Sequence, residues 1–449
     1  MTKLTKVIEF GFYLFLFLLP WQTRLIWQDA FLNNYVWEYG RFSLYGSELI
    51  LWLILLLSAV WLWQTHRLAK LDFRQFYRRL QNPLILSYWL IIIFILLVGL
   101  SVVWSLNARL AYYSWIRLLE GGALFSLVLI FGFKLKKIAL VWVLSATIQS
   151  LLAIGQFFSQ YAFANKWLGL AEHFSTLAGS IILQTTTERW LRAYGGLPHP
   201  NILAGFLVIA LLLLFYLAFE ARTRAQRIFV LANLVVILPA LFFTFSRSAW
   251  IAFIVSLVLL AFWLYRRRQY LWLETFFKIF ILVVLLVSIL TFNLLEPVKT
   301  RIAGDQDLEV ASIELRFAFN EQAWQIIQAR PWQGTGIGNY TLGVFQIVNA
   351  GWPGYYYQPV HNIYLLIWAE LGLFAIFFWL AALAILIYLS ARRVASLVGV
   401  TVFLSLFSIL IISLMDHYFW TMYFGSLIFW LVLALNFKVL ADSQKPPIN

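Results

Sequence analysis

The sequence of 449 residues has no cysteine and few charged residues. Without cysteine there are no disulfides, no thiolate nucleophile and no cysteine-ligated metal. Only 12% of the residues are charged and 63% are hydrophobic, whereas a soluble domain carries roughly 25% charged residues. A soluble globular fold is therefore excluded, and the composition predicts an all-α polytopic membrane protein.

Acidic residues are outnumbered by basic ones, 19 to 33, which gives a net charge of +14. Most of the basic residues fall in alternate connections between the apolar runs, and Lys and Arg accumulate on the cytoplasmic side of membrane proteins. The charge is therefore a topology signal, and no nucleic-acid partner is predicted. The basic segment 64–83 is predicted to be an amphipathic helix that lies on anionic membrane lipids.

Apolar runs of about 20 residues, the length needed to cross a bilayer, recur along the whole chain. About twelve are predicted, near 7–27, 45–63, 84–103, 112–133, 138–158, 201–219, 228–245, 249–265, 276–294, 361–389, 397–414 and 422–437. An even number places both termini on one side, which the basic residues identify as cytoplasmic. The first run has no small-residue cleavage site after it, so it is predicted to remain as a span.

No linker, repeat or low-complexity tract divides the chain, so residues 1–449 are predicted to form one integral membrane domain. Its largest polar insertion is an extracytoplasmic loop, 295–360, between the ninth and tenth spans. Within this loop, 312–329 is predicted to be a surface helix that Ser312 caps and Pro331 ends. Its apolar face is predicted to consist of Ile313, Phe317, Trp324 and Ile327.

Three outer-side arginines have unusual neighbours. Arg192 stands in a Gly- and Pro-rich turn that ends at Asn201, which is predicted to cap the next helix. Such a cap is compatible with an anion site beside Arg192, because a helix N-terminus favours anions. Arg247 is wedged between two apolar runs, where a guanidinium needs either helix-end carbonyls or a buried anion. Arg316 lies on the predicted surface helix, close to acidic residues that are able to pair with it.

A histidine and two carboxylates complete the set of candidate residues. His361 opens a span directly after the long loop, and histidine is the side chain best suited to accept a proton near neutral pH. Glu370 lies further along the same predicted helix, where a charge needs a partner or a role. Arg117 and Glu120, three positions apart, are predicted to form a structural ion pair.

Two common signatures are missing. The run Gly334–Gly338 lacks the Lys-Ser/Thr ending of a phosphate loop, and no group of acidic residues and histidines has the spacing of a metal site. The sequence therefore predicts chemistry without a metal or another cofactor.

The pattern of these residues resembles the O-antigen ligase and polymerase superfamily of membrane glycosyltransferases. The matching pieces are Arg192…His199-Pro200-Asn201, then Ser246-Arg247-Ser248, then Arg316 with the glycine turn, and last His361-Asn362 with Glu370-Leu371-Gly372. The resemblance covers most of 190–390. One departure is Ala375, where the pattern more often has a second glycine.

The resemblance implies a GT-C-type architecture and a site on the outer face of the bacterial cytoplasmic membrane. It implies transfer of a glycan from a polyprenyl (undecaprenyl) diphosphate carrier to the hydroxyl of a glycan, lipid or protein acceptor, metal-independent and inverting. In that mechanism His361 is the general base and Arg247 and Arg316 bind the diphosphate. The predicted substrate-binding residues are Arg192, Asn201, Asn362 and Glu370.

Two alternatives remain at this point. A polymerase of the same superfamily uses a carrier-linked repeat as its acceptor and carries the same motifs. A transporter or flippase would place its charges near the bilayer midplane, where only Arg117 and Glu120 are found among the candidates.

Overall fold

The computed structural model describes residues 3–65 and 82–443. The predicted amphipathic segment 64–83 lies almost wholly outside the described residues. Within them the fold is a bundle of long helices, as the apolar runs predict. The helices are α1 (Lys3–Leu18), α2 (Gly46–Gln64), α3 (Pro83–Ser101), α4 (Ala108–Phe131), α5 (Leu135–Ser159), α6 (Pro200–Phe219), α7 (Arg224–Phe243), α8 (Arg247–Arg266), α9 (Tyr270–Asn293), α10 (Leu295–Ala303), α11 (Asp307–Ala329), α12 (Tyr340–Gly343), α13 (Ile363–Arg393), α14 (Leu397–Ile412), α15 (Tyr418–Thr421) and α16 (Tyr423–Asp442).

In the described part of the chain, ten helices are long and apolar enough to cross a membrane. The two other predicted spans are shorter than expected, because α1 and α14 have 16 residues each. In the first span the chain leaves the helix after Leu18 and enters a strand at Arg24, so the predicted run 7–27 is wrong at its end. The all-α membrane fold is confirmed, and the described residues contain ten helices of spanning length and two shorter ones where twelve spans were predicted.

Short strands form in the connections 24–45 and 161–191, which the sequence analysis did not predict. The four antiparallel pairs are β1 (Arg24–Gln28) with β4 (Phe42–Tyr45), β2 (Phe31–Leu32) with β3 (Tyr35–Val36), β5 (Tyr161–Ala162) with β6 (His173–Phe174), and β7 (Ile182–Gln184) with β8 (Arg189–Leu191). Each strand has two to five residues, too few for an alternating pattern to be recognised. The segment 24–45 is called the outer hairpin below, after the side on which the sequence analysis predicts it to lie.

Helix α6 is the centre of the bundle. Its residues Pro200 to Ala218 are all buried, and it is apolar on every side, as expected of a helix surrounded by other helices. It packs on α5, α7, α8 and α14. The loop before α6 is therefore fixed at the middle of one end of the bundle, which we call the site end.

Helix α13 is interrupted at Gly372, whose φ of 79° and ψ of 178° are not helical. The glycine turn that follows Pro331 inserts at this break: the backbone nitrogen of Gly336 donates to the carbonyl of Glu370 at 2.7 Å, and that of Leu373 to the carbonyl of Pro331 at 3.0 Å. A Cβ on Gly372 would lie 1.9 Å from the carbonyl oxygen of Trp332. Only glycine fits this close crossing of two backbones.

The helix predicted over 312–329 exists but begins earlier, at Asp307. Its N-cap is Gln306, so the predicted cap at Ser312 is wrong. The predicted apolar face is also wrong in part, because Phe317 and Trp324 are exposed. The buried residues Phe319, Ala323, Ile326 and Ile327 pack instead against the start of α13 and the segment that follows α12.

The predicted ion pair of Arg117 with Glu120 is replaced by other partners. Arg117 lies 3.4 Å from Glu48, an acidic residue of α2. Glu120 accepts a hydrogen bond of 2.7 Å from the indole nitrogen of Trp52. Residues three apart on one helix are neighbours, but here each side chain finds its partner on α2.

Candidate active site

Tight junctions between helices bring the polar residues together at the site end. The backbone nitrogen of Ile363, at the start of α13, donates to the carbonyl of Ser413 at 2.9 Å, directly after α14. Asn362 caps α13 by accepting from the backbone nitrogens of Tyr364 and Leu365 at 2.9 and 3.2 Å. These two contacts fix His361 beside the turn that carries Asp416.

His361 and Asp416 form the centre of the candidate site. The Nδ1 atom of His361 lies 3.8 Å from Oδ1 of Asp416, and the histidine side chain is 28% exposed against 6% for the aspartate. This nitrogen is buried and has no hydrogen-bond partner. A movement of about 1 Å would make the hydrogen bond, and such bonds are often long in the absence of substrate. Nε2, at the opposite side of the ring, is left for another group.

Asp416 is fixed by hydrogen bonds on both of its oxygens. Oδ2 accepts from Nδ2 of Asn201 at 2.8 Å, and Oδ1 accepts from the backbone nitrogen of His417 at 2.8 Å. Asn201 in turn accepts from Arg192 at 2.7 Å through Oδ1. The sequence allowed Asn201 to cap α6, but the cap is His199, whose Nδ1 accepts from the backbone nitrogen of Asn201.

The turn between α7 and α8 is closed by two buried arginines. Phe245 has a φ of 47°, which turns the chain within three residues. Nε of Arg192 donates to the carbonyl of Thr244 at 2.6 Å, and Nε of Arg301 donates to the carbonyl of Phe245 at 2.7 Å. These two carbonyls are therefore taken by other arginines, and Arg247 instead donates to the carbonyl of Arg301, in the last turn of α10, at 3.5 Å.

Arg247 is consequently the more accessible arginine at this turn. Its side chain is 25% exposed and lies 3.3 Å from Glu309, whereas Arg301 is 6% exposed and lies 2.5 Å from the same carboxylate. One carboxylate thus faces two guanidinium groups. Two positive charges therefore face one negative charge, and the uncompensated positive charge lies at Arg247. The Arg247 side chain is accessible to an anion.

Arg316 extends this positive region without a partner of its own. Among the described residues it makes no ion pair or side-chain hydrogen bond, so the acidic neighbours that the sequence suggested do not pair with it. Burial lowers the pKa of Arg316, and the opposite charge of Asp416 acts against that shift. Burial also lowers the pKa of Arg192 well below its usual value, with the charge of Arg301 acting in the same direction. An anion bound beside these two arginines would stabilise their charged forms.

Two histidines accompany the pair in neutral form. Burial lowers the pKa of His417 to about 3, and the charge of His361 acts in the same direction. Burial likewise lowers the pKa of His199 to about 3, followed by the charge of Arg192. Burial alone would raise the pKa of Asp416, but its interaction with His361, and the positive charges that His417 and His199 gain at low pH, hold it well below its usual range. Asp416 is therefore an anion at neutral pH.

Glu370 lies apart from this group. It is 2% exposed, accepts from the indole nitrogen of Trp420 at 2.8 Å, and accepts from the backbone nitrogen of Tyr340 at 3.4 Å. These bonds join α13 to the segment after the glycine turn and to α15. A substrate-binding role for Glu370 stays a prediction. Its observed contacts hold three parts of the chain together and are structural.

The structure also brings together three residues able to bind a metal. The ligand atoms of His361, Asp416 and His417 lie within 4.8 Å of one another. The sequence analysis found no such cluster, because the histidine and the Asp-His pair are far apart along the chain. Two histidines and a carboxylate are a ligand set typical of zinc, so independence from metal stays a prediction that needs a test.

Several residues of the site were not singled out in the sequence. Asp416, Glu309 and Arg301 received no role: Asp416 is a rare charge after an apolar run, whereas Arg301 and Glu309 lie in the polar loop 295–360 among other charged residues. Asp416 follows α14 directly, and that position was the one available signal. Glu309 and Arg301 gave no signal beyond their charge.

The comparison with known families agrees with the geometry. Residues 232–380 match the family model described as O-antigen ligase, which covers the chain from within α7 to the middle of α13. The match includes Arg247, Arg316 and His361, while Arg192 and Asp416 lie outside it. It supports the O-antigen ligase and polymerase superfamily over that third of the chain, and the apolar helices support an integral membrane protein. No curated protein matches the chain.

Proposed function

We propose that the protein transfers a glycan from a polyprenyl diphosphate carrier to an acceptor hydroxyl, as an O-antigen ligase-like glycosyltransferase. One observation carries the proposal: at the site end, His361 is connected through Asp416 and Asn201 to Arg192. Arg192 belongs to a group of four arginines, called the arginine cluster, with Arg247, Arg301 and Arg316. A base and an anion-binding group side by side are what the displacement of a diphosphate requires.

His361 acts as the general base in this proposal. Nε2 accepts the proton of the acceptor hydroxyl while the oxygen bonds to the anomeric carbon of the donor sugar. The bond from that carbon to the phosphate oxygen breaks, and its electron pair leaves with the carrier diphosphate. A single displacement inverts the anomeric centre. Asp416 stabilises the imidazolium that forms, in the manner of the carboxylate beside a catalytic histidine.

Arg247 and Arg316 bind the diphosphate and offset the charge that grows as it leaves. A guanidinium is able to bind phosphate oxygens through two parallel hydrogen bonds. Arg247 and Arg316 are both partly exposed, whereas Arg192 and Arg301 are buried, and Arg316 has no competing partner among the described residues. Arg192 and Arg301 are committed to the carbonyls of the α7–α8 turn, so they act by adding positive potential and fixing the site.

The site end is proposed to face outward from the bacterial cytoplasmic membrane, with both termini cytoplasmic and residues 295–360 as an extracytoplasmic loop. Ligase and polymerase differ in whether the acceptor hydroxyl belongs to a finished lipid, glycan or protein or to another carrier-linked repeat, and the residues above serve either. The charged residues of the candidate site lie together at the site end. This favours transfer over transport, because a transporter needs polar groups through the depth of the bilayer.

The test uses purified protein in liposomes with a carrier-diphosphate-linked oligosaccharide, and it follows both product formation and movement of the carrier between leaflets. We expect transfer by the wild type and its loss in Arg247→Ala. Lys299→Ala, which removes an exposed charge from α10, is the matched control and should transfer normally. Carrier movement without transfer by the wild type would replace this proposal with a transporter.

A further inference from the structure

Two connections at the site end bring two histidines and a carboxylate together. His361 precedes α13, and Asp416 and His417 lie in the turn between α14 and α15. Nδ1 of His361 is 3.8 Å from Oδ1 of Asp416, and the centroids of the two histidine rings are 5.0 Å apart. The ligand atoms of all three residues lie within 4.8 Å of one another. The proposed transfer uses His361 and Asp416 but gives His417 no role.

His417 has one ring nitrogen engaged in a hydrogen bond and the other left with a lone pair. The Thr421 hydroxyl donates to the carbonyl of His417 at 3.3 Å, so its oxygen is left to accept from Nδ1–H of the same histidine at 2.7 Å. A neutral imidazole carries a single N–H, so the lone pair is then on Nε2. A hydrogen bond at the opposite nitrogen is how proteins commonly orient a metal-binding histidine.

His361 and Asp416 also have lone pairs to offer. Nδ1 of His361 is buried and makes no hydrogen bond among the described residues. Each oxygen of Asp416 accepts one hydrogen bond, from Asn201 or from the backbone nitrogen of His417, and a carboxylate oxygen has a second lone pair. The three residues are therefore able to bind a cation without breaking an existing hydrogen bond.

The chemistry of the three ligands selects the ion. Two imidazole nitrogens and one carboxylate oxygen, with a fourth position open, suit Zn²⁺, whereas Mg²⁺ and Ca²⁺ prefer oxygen ligands. Ligand atoms around tetrahedral zinc are about 3.3 Å apart, since the Zn–N distance is about 2.0–2.1 Å. Closing the cluster from 4.8 Å to that spacing needs a movement of about 1.5 Å. The His361 side chain, 28% exposed against 6% for Asp416, has room to make it.

We propose that His361, Asp416 and His417 form an inhibitory Zn²⁺ site. The inhibition rests on the proposed function, in which Nε2 of His361 accepts the proton of the acceptor hydroxyl. A neutral imidazole that coordinates zinc through Nδ1 carries its proton on Nε2, so this nitrogen has no lone pair for the acceptor. Asp416, bound to the same ion, no longer supports the imidazole. Transfer by the metal-free protein needs no ion and is unaffected.

The arginine cluster limits the affinity of this site. Arg316 and Asp416 are near enough to interact electrostatically, and a guanidinium group beside the site repels a cation. We therefore expect half-inhibition at roughly 1–100 µM Zn²⁺, because this site binds more weakly than a structural zinc site with four protein ligands. An ion held this weakly acts as a reversible inhibitor.

The first experiment titrates transfer with ZnCl₂. The protein is purified with a tag that contains no histidine, stripped of metal, and assayed at fixed donor and acceptor concentrations. His417→Gln removes one ligand, and Thr421→Val removes the hydroxyl that orients it. His173→Gln removes a histidine outside the cluster and is the matched control. The comparison is needed because Zn²⁺ also binds diphosphates and is able to sequester the donor.

Inhibition is compared with the activity of the same variant without zinc. We expect the Zn²⁺ concentration for half-inhibition to rise by about tenfold or more in His417→Gln and Thr421→Val, and to stay within about twofold in His173→Gln. Mg²⁺ and Ca²⁺ at the same concentrations should not inhibit. Equal inhibition of all four proteins would point to sequestered donor and would overturn the site. A wild type that needs Zn²⁺ for transfer would overturn the inhibitory role.

Direct binding separates this inference from the transfer reaction. Isothermal titration calorimetry of the metal-free protein with ZnCl₂ in detergent needs no donor. Binding to the wild type, weakened by about tenfold or more in His417→Gln, would support the site, whereas no binding or equal binding by both proteins would contradict it. A wild type that transfers normally but neither binds zinc nor is inhibited by it would sink the site alone. A wild type that binds zinc but transfers nothing would count against the proposed function alone.

Discussion

Nδ1 of His361 points at Oδ1 of Asp416 across 3.8 Å, and the aspartate is the buried member of the pair. Asp416 cannot turn away, because Asn201 and the backbone nitrogen of His417 occupy its two oxygens. The histidine is free to close the gap, since Nδ1 has no other partner. The aspartate thus sets the direction of the imidazole, which the proposed role of His361 as general base requires.

Asp416→Asn should lower kcat by about 10²- to 10⁴-fold, because the imidazolium loses its counter-charge and its orienting acceptor. The donor KM should change little, because the arginines remain. Rates are measured by single-turnover transfer, with the melting temperature as a check on folding. Thr421→Val, which removes a hydroxyl bonded to His417 rather than to Asp416, is the comparison and should cost much less. Similar losses in the two variants would argue against a special role for Asp416.

Arg316→Ala should raise the donor KM or the donor Kd by about 10- to 100-fold, since a charge-assisted contact to phosphate contributes about 1.5–3 kcal/mol. Arg316→Lys should recover part of the loss, because the charge returns without the paired geometry. Isothermal titration calorimetry with the carrier diphosphate alone, in detergent, measures the contribution of Arg316 to binding separately from any effect on catalysis. Lys299→Ala is the control for a change in overall charge. Equal binding by Arg316→Ala and the wild type would remove Arg316 from the diphosphate site.

Gly372→Ala should destabilise the protein and reduce transfer. A Cβ would lie 1.9 Å from the carbonyl oxygen of Trp332, and the φ of 79° is unfavourable for alanine. The glycine turn would have to leave the break in α13. Gly155→Ala in α5 is the matched control, because a Cβ there meets nothing within 4 Å. We expect the melting temperature to fall by several degrees in Gly372→Ala and to stay level or rise slightly in Gly155→Ala. The reverse order would contradict the close contact between the glycine turn and α13 at Gly372.

Stability should fall as the pH is lowered from 7 towards 4. The pKa of buried His417 is about 3 against 6.5 for an exposed histidine, so between these values the unfolded chain binds a proton that the native protein does not. The stabilising contribution is complete above pH 6.5 and is lost at about 1.4 kcal/mol per pH unit below it. His199, whose pKa burial also lowers to about 3, contributes a slope of the same sign. Melting temperatures in detergent should therefore fall with pH, and His417→Gln should reduce the slope without abolishing it. An equally steep slope in this variant would contradict the buried neutral state of His417.

The helices and several candidate residues could be predicted from the sequence, because both depend on local patterns. A run such as 201–219 has the length and composition of a span wherever it packs. Arg247 and His361 were recognisable because a charge or a histidine beside an apolar run is costly and rare. The family match over 232–380 begins after Arg192 and ends before Asp416, so neither residue is supported by it.

The partners of these residues could not be predicted, because they come from distant parts of the chain. Asp416 reaches His361 only when the ends of α13 and α14 meet, and Arg117 pairs with Glu48 across two helices rather than with Glu120 on its own. Glu309 is shared by Arg247 and Arg301 because α10 and α11 fold back over the α7–α8 turn. The strands of the outer hairpin are too short to leave a pattern.

The central claim is that His361 takes the acceptor proton without help from a metal. The direct test is transfer by wild type and His361→Ala, in EDTA and with added Zn²⁺, alongside binding of the carrier-diphosphate donor. The account predicts full wild-type activity in EDTA and loss of transfer in His361→Ala, with donor binding retained. Transfer by His361→Ala at the wild-type rate would contradict the assignment of the base. Loss of wild-type activity in EDTA, restored by Zn²⁺, would make His361, Asp416 and His417 a metal site instead.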